Sequence, residues 1–149
     1  MLTFFIVKTN GPSRILLYWG PAIIVMLVIF FLSSRSSSQL PDFGSIDTII
    51  KKSGHILGYA LLALTYIRGV SSVMGKRRAS WLVVVLSICL TILYAMSDEY
   101  HQSFTPGRGS DWTDVGIDTS AGLCAVFLWY EFPSLRSAVK NWFVPPVYR

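Results

Sequence analysis

The sequence predicts an all-α integral membrane protein, a bundle of four helices in a single domain that covers residues 1–149. Charged residues make up 14% of the chain and hydrophobic residues 52%, whereas a soluble domain usually carries about 25% charged residues. The apolar residues also come in four long blocks, each near the roughly 20 residues that cross a hydrocarbon core. Backbone polar groups in lipid need internal partners, so blocks of this length are expected to be helices.

Four spans are predicted, followed by a short interfacial tail on the cytoplasmic side. The spans cover about residues 15–32, 50–70, 81–99 and 112–130, and the tail covers residues 133–149. The first block could instead be a signal peptide, but its apolar run of about 18 residues exceeds the roughly 7–15 residues of a typical signal sequence. Cys89 and Cys124 lie inside the third and fourth spans, where cysteine is commonly a small apolar residue.

Basic residues predict the orientation of the spans, because lysine and arginine are enriched in cytoplasmic loops. They concentrate before the first span, between the second and third spans, and in the tail: Lys8, Arg14, Lys76, Arg77, Arg78, Arg136, Lys140 and Arg149. Arg68, near the end of the second span, is expected to extend towards the same interface. Both termini are therefore predicted to be cytoplasmic. The net charge of +5 then reflects topology and attraction to anionic lipid, and no nucleic-acid partner is expected.

Acidic residues concentrate on the opposite, external side of the predicted membrane. Of the eight acidic residues, only Glu131 lies elsewhere; the others are Asp42, Asp47, Asp98, Glu99, Asp111, Asp114 and Asp118. Acidic residues contribute little to membrane topology. Their segregation therefore indicates an external polar site.

One part of this site opens the second span. Lys51, His55 and Tyr59 are spaced i, i+4, i+8, and Lys52 precedes His55 by three residues, so these side chains line one side of a helix. Interfacial snorkelling explains Lys51 equally well. The small-xxx-small pair at residues 54 and 58, both glycine, lets helices approach closely and makes a homodimer one option.

The other part joins the third and fourth spans. Its polar residues are Glu99, Gln102, Arg108, Asp111, Asp114 and Asp118. Asp111 could simply cap the fourth helix, with Asp114 favoured by the helix dipole. Asp118 should lie about 10 Å along the helix from Asp111. At that depth an ionisable group persists when it faces the bundle interior and finds a partner.

These two stretches resemble the VanZ-like family of small bacterial membrane proteins. "KSGHILGYALLAL" meets a K-x-x-H-x-x-x-Y pattern, and "SDEYHQSFTPGRGSDWTDVGIDTSAGL" meets E-x-x-Q, P-x-R and D-x-x-D/N patterns ending in glycine. The matching residues are Lys52, His55, Tyr59, Glu99, Gln102, Pro106, Arg108, Asp111, Asp114 and Gly122. Many members have asparagine where this chain has Asp118. The resemblance covers roughly residues 33–130 and implies a multi-pass protein of the bacterial plasma membrane. Through the protein that gives the family its name, it also implies a link to teicoplanin-type glycopeptide resistance, but it supplies no biochemical activity.

Three functions fit an outward polar site at the membrane surface. The first is recognition of an amphiphile, such as a membrane lipid, a lipid-tailed glycopeptide or a lipid-linked wall precursor. Its expected ligand contacts are Lys52, Tyr59, Gln102, Arg108, Asp111 and Asp118. The second is an enzyme acting on a lipid phosphate or sugar headgroup, with His55 as base or nucleophile and Glu99 or Asp114 as its partner. A transporter fits least, because no polar pathway reaches the cytoplasmic half.

Two further expectations concern the geometry and the metal content of this site. His55 and Tyr59 should lie towards Glu99 and Asp114, and Arg108 should pair with a carboxylate, since an unpaired buried charge is costly. No cofactor and no metal are expected. A divalent cation remains an option, since imidazole and carboxylate groups are acceptable ligands and the candidate set is His55, Glu99, Asp111 and Asp114.

Overall fold

The computed structural model describes residues 12–36, 39, 44–74 and 80–141, and this part of the chain forms α-helices without any strand. The helices are α1 (Pro12–Ser33), α2 (Asp47–Met74), α3 (Ser80–Gln102), α4 (Trp112–Glu131) and α5 (Pro133–Asn141), with a short 3-10 turn at Gly44–Ile46 before α2. The all-α prediction is confirmed. Several residues on which the predicted orientation rests lie outside the described chain: Lys8, Asp42, Lys76, Arg77, Arg78 and Arg149. The described side chains also leave out those of Arg14, Asp47 and Lys140.

Three of the described helices are long and apolar enough to cross a membrane. The qualifying segments are Ile15–Ser33, Ile49–Met74 and Trp81–Gln102. The predicted fourth span is a helix of 20 residues, but α4 does not qualify. The physical reason is that Asp114 and Asp118 lie in its first two turns and lower its hydropathy.

Large apolar side chains cover the outer faces of the helices. On α1, Ile24 is 63% exposed and Leu27 is 60% exposed, and Leu123 and Phe127 of α4 are exposed as well. A monomeric soluble protein rarely exposes large contiguous apolar patches. This exposure is what helices facing hydrocarbon require, and it extends to the second half of α4.

α2 is the central helix, because it packs against α1, α3, α4 and α5. Its buried side chains divide between two clusters. In one, Tyr59, Leu62 and Tyr66 pack with Ala22 and Ile29 of α1 and with Ala95 of α3. In the other, Ala63, Ile67 and Val70 pack with side chains of α3, α4 and α5, namely Val83, Val126, Trp129 and Val139. A helix buried on several sides in this way fixes the positions of the polar residues that it carries.

Glycines allow the closest helix approaches. A Cβ atom at Gly122 would lie 3.0 Å from Cγ2 of Thr91 and 3.4 Å from Cβ of Ala63, so the glycine that ends the family pattern lets α4 approach α2 and α3. A Cβ atom at Gly58 would lie 3.4 Å from Cγ1 of Ile29. Gly58 therefore faces α1 of its own chain, while a Cβ atom at Gly54 would meet nothing within 4 Å.

α1 and α3 end where α2 and α4 begin. Ser33, the last residue of α1, donates to Asp98 near the end of α3 over 2.9 Å. Lys52 in the second turn of α2 pairs with Asp114 in the first turn of α4. We call this end of the molecule, which holds Ser33, Lys52, Asp98 and Asp114, the polar end.

Candidate functional site

A buried carboxylate organises the polar end. Asp98 is only 4% exposed, and its Oδ2 atom accepts three hydrogen bonds. These come from Ser33 Oγ at 2.9 Å, Tyr59 Oη at 3.1 Å and Gln102 Nε2 at 3.1 Å. The second oxygen, Oδ1, is buried and has no hydrogen-bond partner among the described residues. Asp98 thus holds α1, α2 and α3 together through one oxygen atom.

Gln102 extends this network to Arg108. Its Nε2 atom donates to Asp98, and its Oε1 atom accepts a hydrogen bond of 3.2 Å from Nη1 of Arg108. Among the described residues the acceptor for Arg108 is therefore an amide, and none of the described carboxylates makes the pair with Arg108 that the sequence analysis predicted. A planar guanidinium has five N–H donors, and most of those on Arg108 are not committed to described residues.

α2 and α4 face each other through two successive pairs of a base and an acid. Nζ of Lys52 lies 2.7 Å from Oδ1 of Asp114, and Nδ1 of His55 lies 3.4 Å from Oδ2 of Asp118. The first pair is about half exposed, and Asp118 is almost fully buried. The 3.4 Å separation exceeds the usual range for an N–H···O bond, so the second pair is the looser of the two.

The sequence analysis predicted Glu99 or Asp114 as the partner of His55, and in the structure the partner is Asp118. Lys52 already occupies Asp114, and one turn deeper along both helices His55 meets Asp118. Tyr59, one further turn along α2, is fully buried and bonds Asp98. The side chain of His55 stacks on the Tyr59 ring, with 6.1 Å between ring centroids.

Glu99 and Asp111 fix the connection between α3 and α4. Oε2 of the buried Glu99 accepts a 2.9 Å hydrogen bond from the backbone N–H of Asp111. Asp111 in turn is the N-cap of α4, because its Oδ1 accepts from the N–H of Thr113 at 2.8 Å. Hydrogen bonds from Thr113 stabilise the carboxylate and lower the pKa of Asp111. The capping interpretation of Asp111 is therefore confirmed, and its predicted role as a ligand contact stays a prediction.

A cavity of about 210 Å³ adjoins these pairs. We call it the basic cavity, and its lining residues are Ile29, Leu32, Ile50, Lys51, Gly54, His55 and Arg108. The wall is mostly apolar, and the three ionisable side chains that line it are all bases. The predicted residues Lys52, Tyr59, Gln102 and Asp118 do not line this cavity, although each lies one contact away from it or within the network behind it.

The sequence analysis placed Asp98 in the acidic group at this end but gave it no catalytic or ligand-binding role, and it did not single out Ser33; both lie at the centre of the polar end. Asp98 lies four residues before Gln102, so both fall on one face of α3, and this spacing was the available signal. No spacing rule links Ser33 to Asp98, since they are 65 residues apart in sequence. Within the described residues, no three histidine, cysteine or acidic side chains converge as metal ligands would. The candidate metal ligands from the sequence analysis instead make separate contacts; they are His55, Glu99, Asp111 and Asp114.

The fold and the site define a class: a small helical protein with membrane-compatible helices and a network of buried polar side chains at one end. Residues 18–135 match the family described as VanZ/LLP1. The match covers most of the chain, so this chain belongs to the VanZ/LLP1 family, and the resemblance seen in the sequence is confirmed. No curated protein and no solved structure gives a significant match to the chain.

Proposed function

We propose that this protein recognises an amphiphile with an anionic headgroup at the outer leaflet of the bacterial plasma membrane. In this proposal α1 to α4 all span the membrane, both termini are cytoplasmic, and the polar end faces outside. The observation that carries the proposal is the basic cavity, in which an apolar wall stands beside three basic side chains.

The distribution of charge favours an anionic ligand. Three described carboxylates near the cavity already have donors: Asp98 has three, Asp114 has Lys52, and Asp118 has His55. The cavity itself is lined by the bases Lys51, His55 and Arg108. A guanidinium binds phosphate or carboxylate through two parallel hydrogen bonds. These three described carboxylates thus have donors behind the cavity, while the side chains that line it with ionisable groups are basic.

The apolar wall favours a ligand with an acyl chain. Leu32 and Ile50 line the cavity and are also 50% and 39% exposed on the outer surface. The wall is therefore continuous with the apolar face that α1 presents to hydrocarbon. A ligand can place its headgroup against the bases while its chain stays in the bilayer.

A lipid-tailed glycopeptide and a lipid-linked wall precursor both have this form. Membership of the VanZ/LLP1 family supports teicoplanin-type glycopeptide resistance as the phenotype. On this proposal the protein protects the cell by engaging the amphiphile where it meets the outer leaflet. A homodimer would bring two such sites to the same membrane surface.

The His55–Asp118 pair favours one alternative, an enzyme acting on a lipid headgroup. A histidine oriented by a carboxylate is the usual arrangement of a general base, and here the histidine also lines the cavity. If the purified wild type turns over a lipid phosphate and His55→Ala does not, the conclusion would be that the protein is an enzyme and not a recognition protein.

The orientation is testable with reporter fusions. Fusions after Met74 and at the C-terminus should report a cytoplasmic location, and fusions near Gln39 and Gly107 should report an external one, because basic residues are retained in the cytoplasm. A cytoplasmic signal near Gly107 would place the polar end on the wrong side and contradict the proposal.

Occupancy of the basic cavity is testable through a single cysteine. Gly54 lines the cavity and has room for a side chain, so Gly54→Cys in a Cys89→Ser/Cys124→Ser background should react with a membrane-permeant maleimide. Teicoplanin or a lipid-linked wall precursor should slow this reaction about tenfold at a concentration tenfold above its Kd. The two ligands are tested separately to identify which one binds.

Gly116→Cys in the same background is the matched control. Gly116 also has room for a side chain, but it lines a shallow groove between α2 and α4 instead of the basic cavity. Its labelling should not change. Equal slowing at both positions, or none at Gly54→Cys with either ligand, would refute binding in the basic cavity.

A further inference from the structure

A second basic site lies far from the polar end. Arg68 is only 6% exposed, and its three nitrogen atoms Nε, Nη1 and Nη2 have no hydrogen-bond partner among the described residues. Its guanidinium carbon lies 5.3 Å from the centroid of the Tyr18 ring. The ring orients the cation but accepts no conventional hydrogen bond. The sequence analysis predicted that Arg68 extends towards the interface at this end; the structure adds that its side chain is buried against the protein.

The position of Arg68 places it near the other membrane surface. It lies about 20 Å along α2 from His55 and about 9 Å from Met74, the last residue of the helix. Tyr18 lies at a similar distance from the first residue of α1. Arg68 therefore lies much closer to the end of the molecule opposite the polar end than to the polar end itself.

Among the residues that the structure describes, this end of the molecule has donors without acidic acceptors. Seven of the eight acidic residues belong to the polar end or to the segment that leads into α2. The remaining one, Glu131, is exposed, and no contact joins it to Arg68 in the described structure. The indole Nε1 of Trp129 and Nε of Arg136 are also buried without a hydrogen-bond acceptor among the described residues.

We propose that Arg68 binds the phosphate of an anionic phospholipid in the leaflet at this end, the cytoplasmic leaflet in the proposed orientation. A buried guanidinium without an acceptor is unfavourable, and its planar donors match two phosphate oxygens. Packing against Tyr18 fixes the plane of the cation for such a contact. A free phosphate ion offers the same chemistry, and the experiment separates the two sources.

The test uses the purified full-length protein in detergent. Addition of short-chain phosphatidylglycerol should raise the Tm of the wild type by about 4 °C at about tenfold excess over Kd. Phosphatidylcholine at the same concentration should give a smaller shift, because its choline cation offsets the negative charge of its phosphate. Arg68→Gln should lose the response and Arg68→Lys should retain part of it. Inorganic phosphate should have no effect; an equal shift with inorganic phosphate would support the site and assign it to the free ion.

Arg35→Gln is the matched control. Arg35 is also held by an aromatic ring, at 4.3 Å from the centroid of Phe31, but it follows α1 at the polar end. This variant should keep the full response to phosphatidylglycerol. An equal response in Arg68→Gln and the wild type would overturn the proposal. If Arg68→Gln does not fold, the wild type decides alone, and equal Tm values with the two lipids would overturn it.

Discussion

Replacement of Asp98 with alanine is expected to cause the largest loss of folded protein of any single change at the polar end. The change removes the acceptor for Ser33, Tyr59 and Gln102 together. A buried donor left without a partner costs about 1–3 kcal/mol, and here three donors lose their acceptor together. Thermal unfolding in detergent, followed by size-exclusion chromatography, should show a much lower Tm and mostly aggregated protein.

Two further variants test whether the loss of stability in Asp98→Ala comes from the loss of its carboxylate. Asp98→Asn keeps the size of the side chain and one acceptor oxygen, so it should lie between the wild type and Asp98→Ala. Ser97→Ala changes the neighbouring residue, whose exposed hydroxyl bonds only the carbonyl oxygen of Tyr94 in its own helix, and it should unfold like the wild type. An Asp98→Ala protein as stable as Ser97→Ala would show that the network does not hold α1, α2 and α3 together.

The helices could be predicted from the sequence because lipid leaves few alternatives. Long apolar blocks must satisfy their backbone groups internally, and the polar residues between them mark where the helices end. The fourth helix is the informative exception, since Asp114 and Asp118 lower its hydropathy below that of the other three. Those two residues serve the contacts with Lys52 and His55. The two acidic residues that make these contacts are thus also the reason why α4 is less apolar than the other three helices.

The partners within the site could not be predicted from spacing. Spacing shows which residues share one face of a helix, but not which face of another helix lies opposite or at what depth. The depth of α4 against α2 decides that His55 meets Asp118 and that Asp114 is left to Lys52. Likewise, Tyr59 and Ser33 reach Asp98 only because three helices meet there. The burial of Arg68 against the protein could not be predicted either, because sequence position gives depth along a helix and not the direction of the side chain.

Replacing either His55 or Arg108 with alanine is expected to abolish protection from a lipid-tailed glycopeptide. Both side chains line the basic cavity, and each would contribute a hydrogen bond to an anionic headgroup. Loss of a hydrogen bond to a charged group costs about 1.5–3 kcal/mol, which weakens binding about tenfold to a hundredfold. Arg108 contacts no apolar core cluster, so Arg108→Ala should reach the membrane at wild-type levels. His55→Ala also removes a contact with Tyr59 and the partner of the buried Asp118, so protection by each variant is compared at equal membrane levels. Asp114→Asn should have a smaller effect, because it weakens only the pair with Lys52.

His101→Ala and Arg35→Ala are the controls for these two changes. His101 contacts Ser34, and Arg35 lies over the ring of Phe31; neither side chain lines the basic cavity. Each control removes the same type of side chain at the same end of the molecule. Both should protect as the wild type does.

The minimum inhibitory concentration of teicoplanin, measured in a susceptible bacterium that expresses each variant at equal membrane levels, tests the proposed recognition most directly. The wild type, His101→Ala and Arg35→Ala should raise this concentration, whereas His55→Ala and Arg108→Ala should leave it near that of the empty host. Full protection by His55→Ala and Arg108→Ala would contradict recognition of the glycopeptide through the basic cavity.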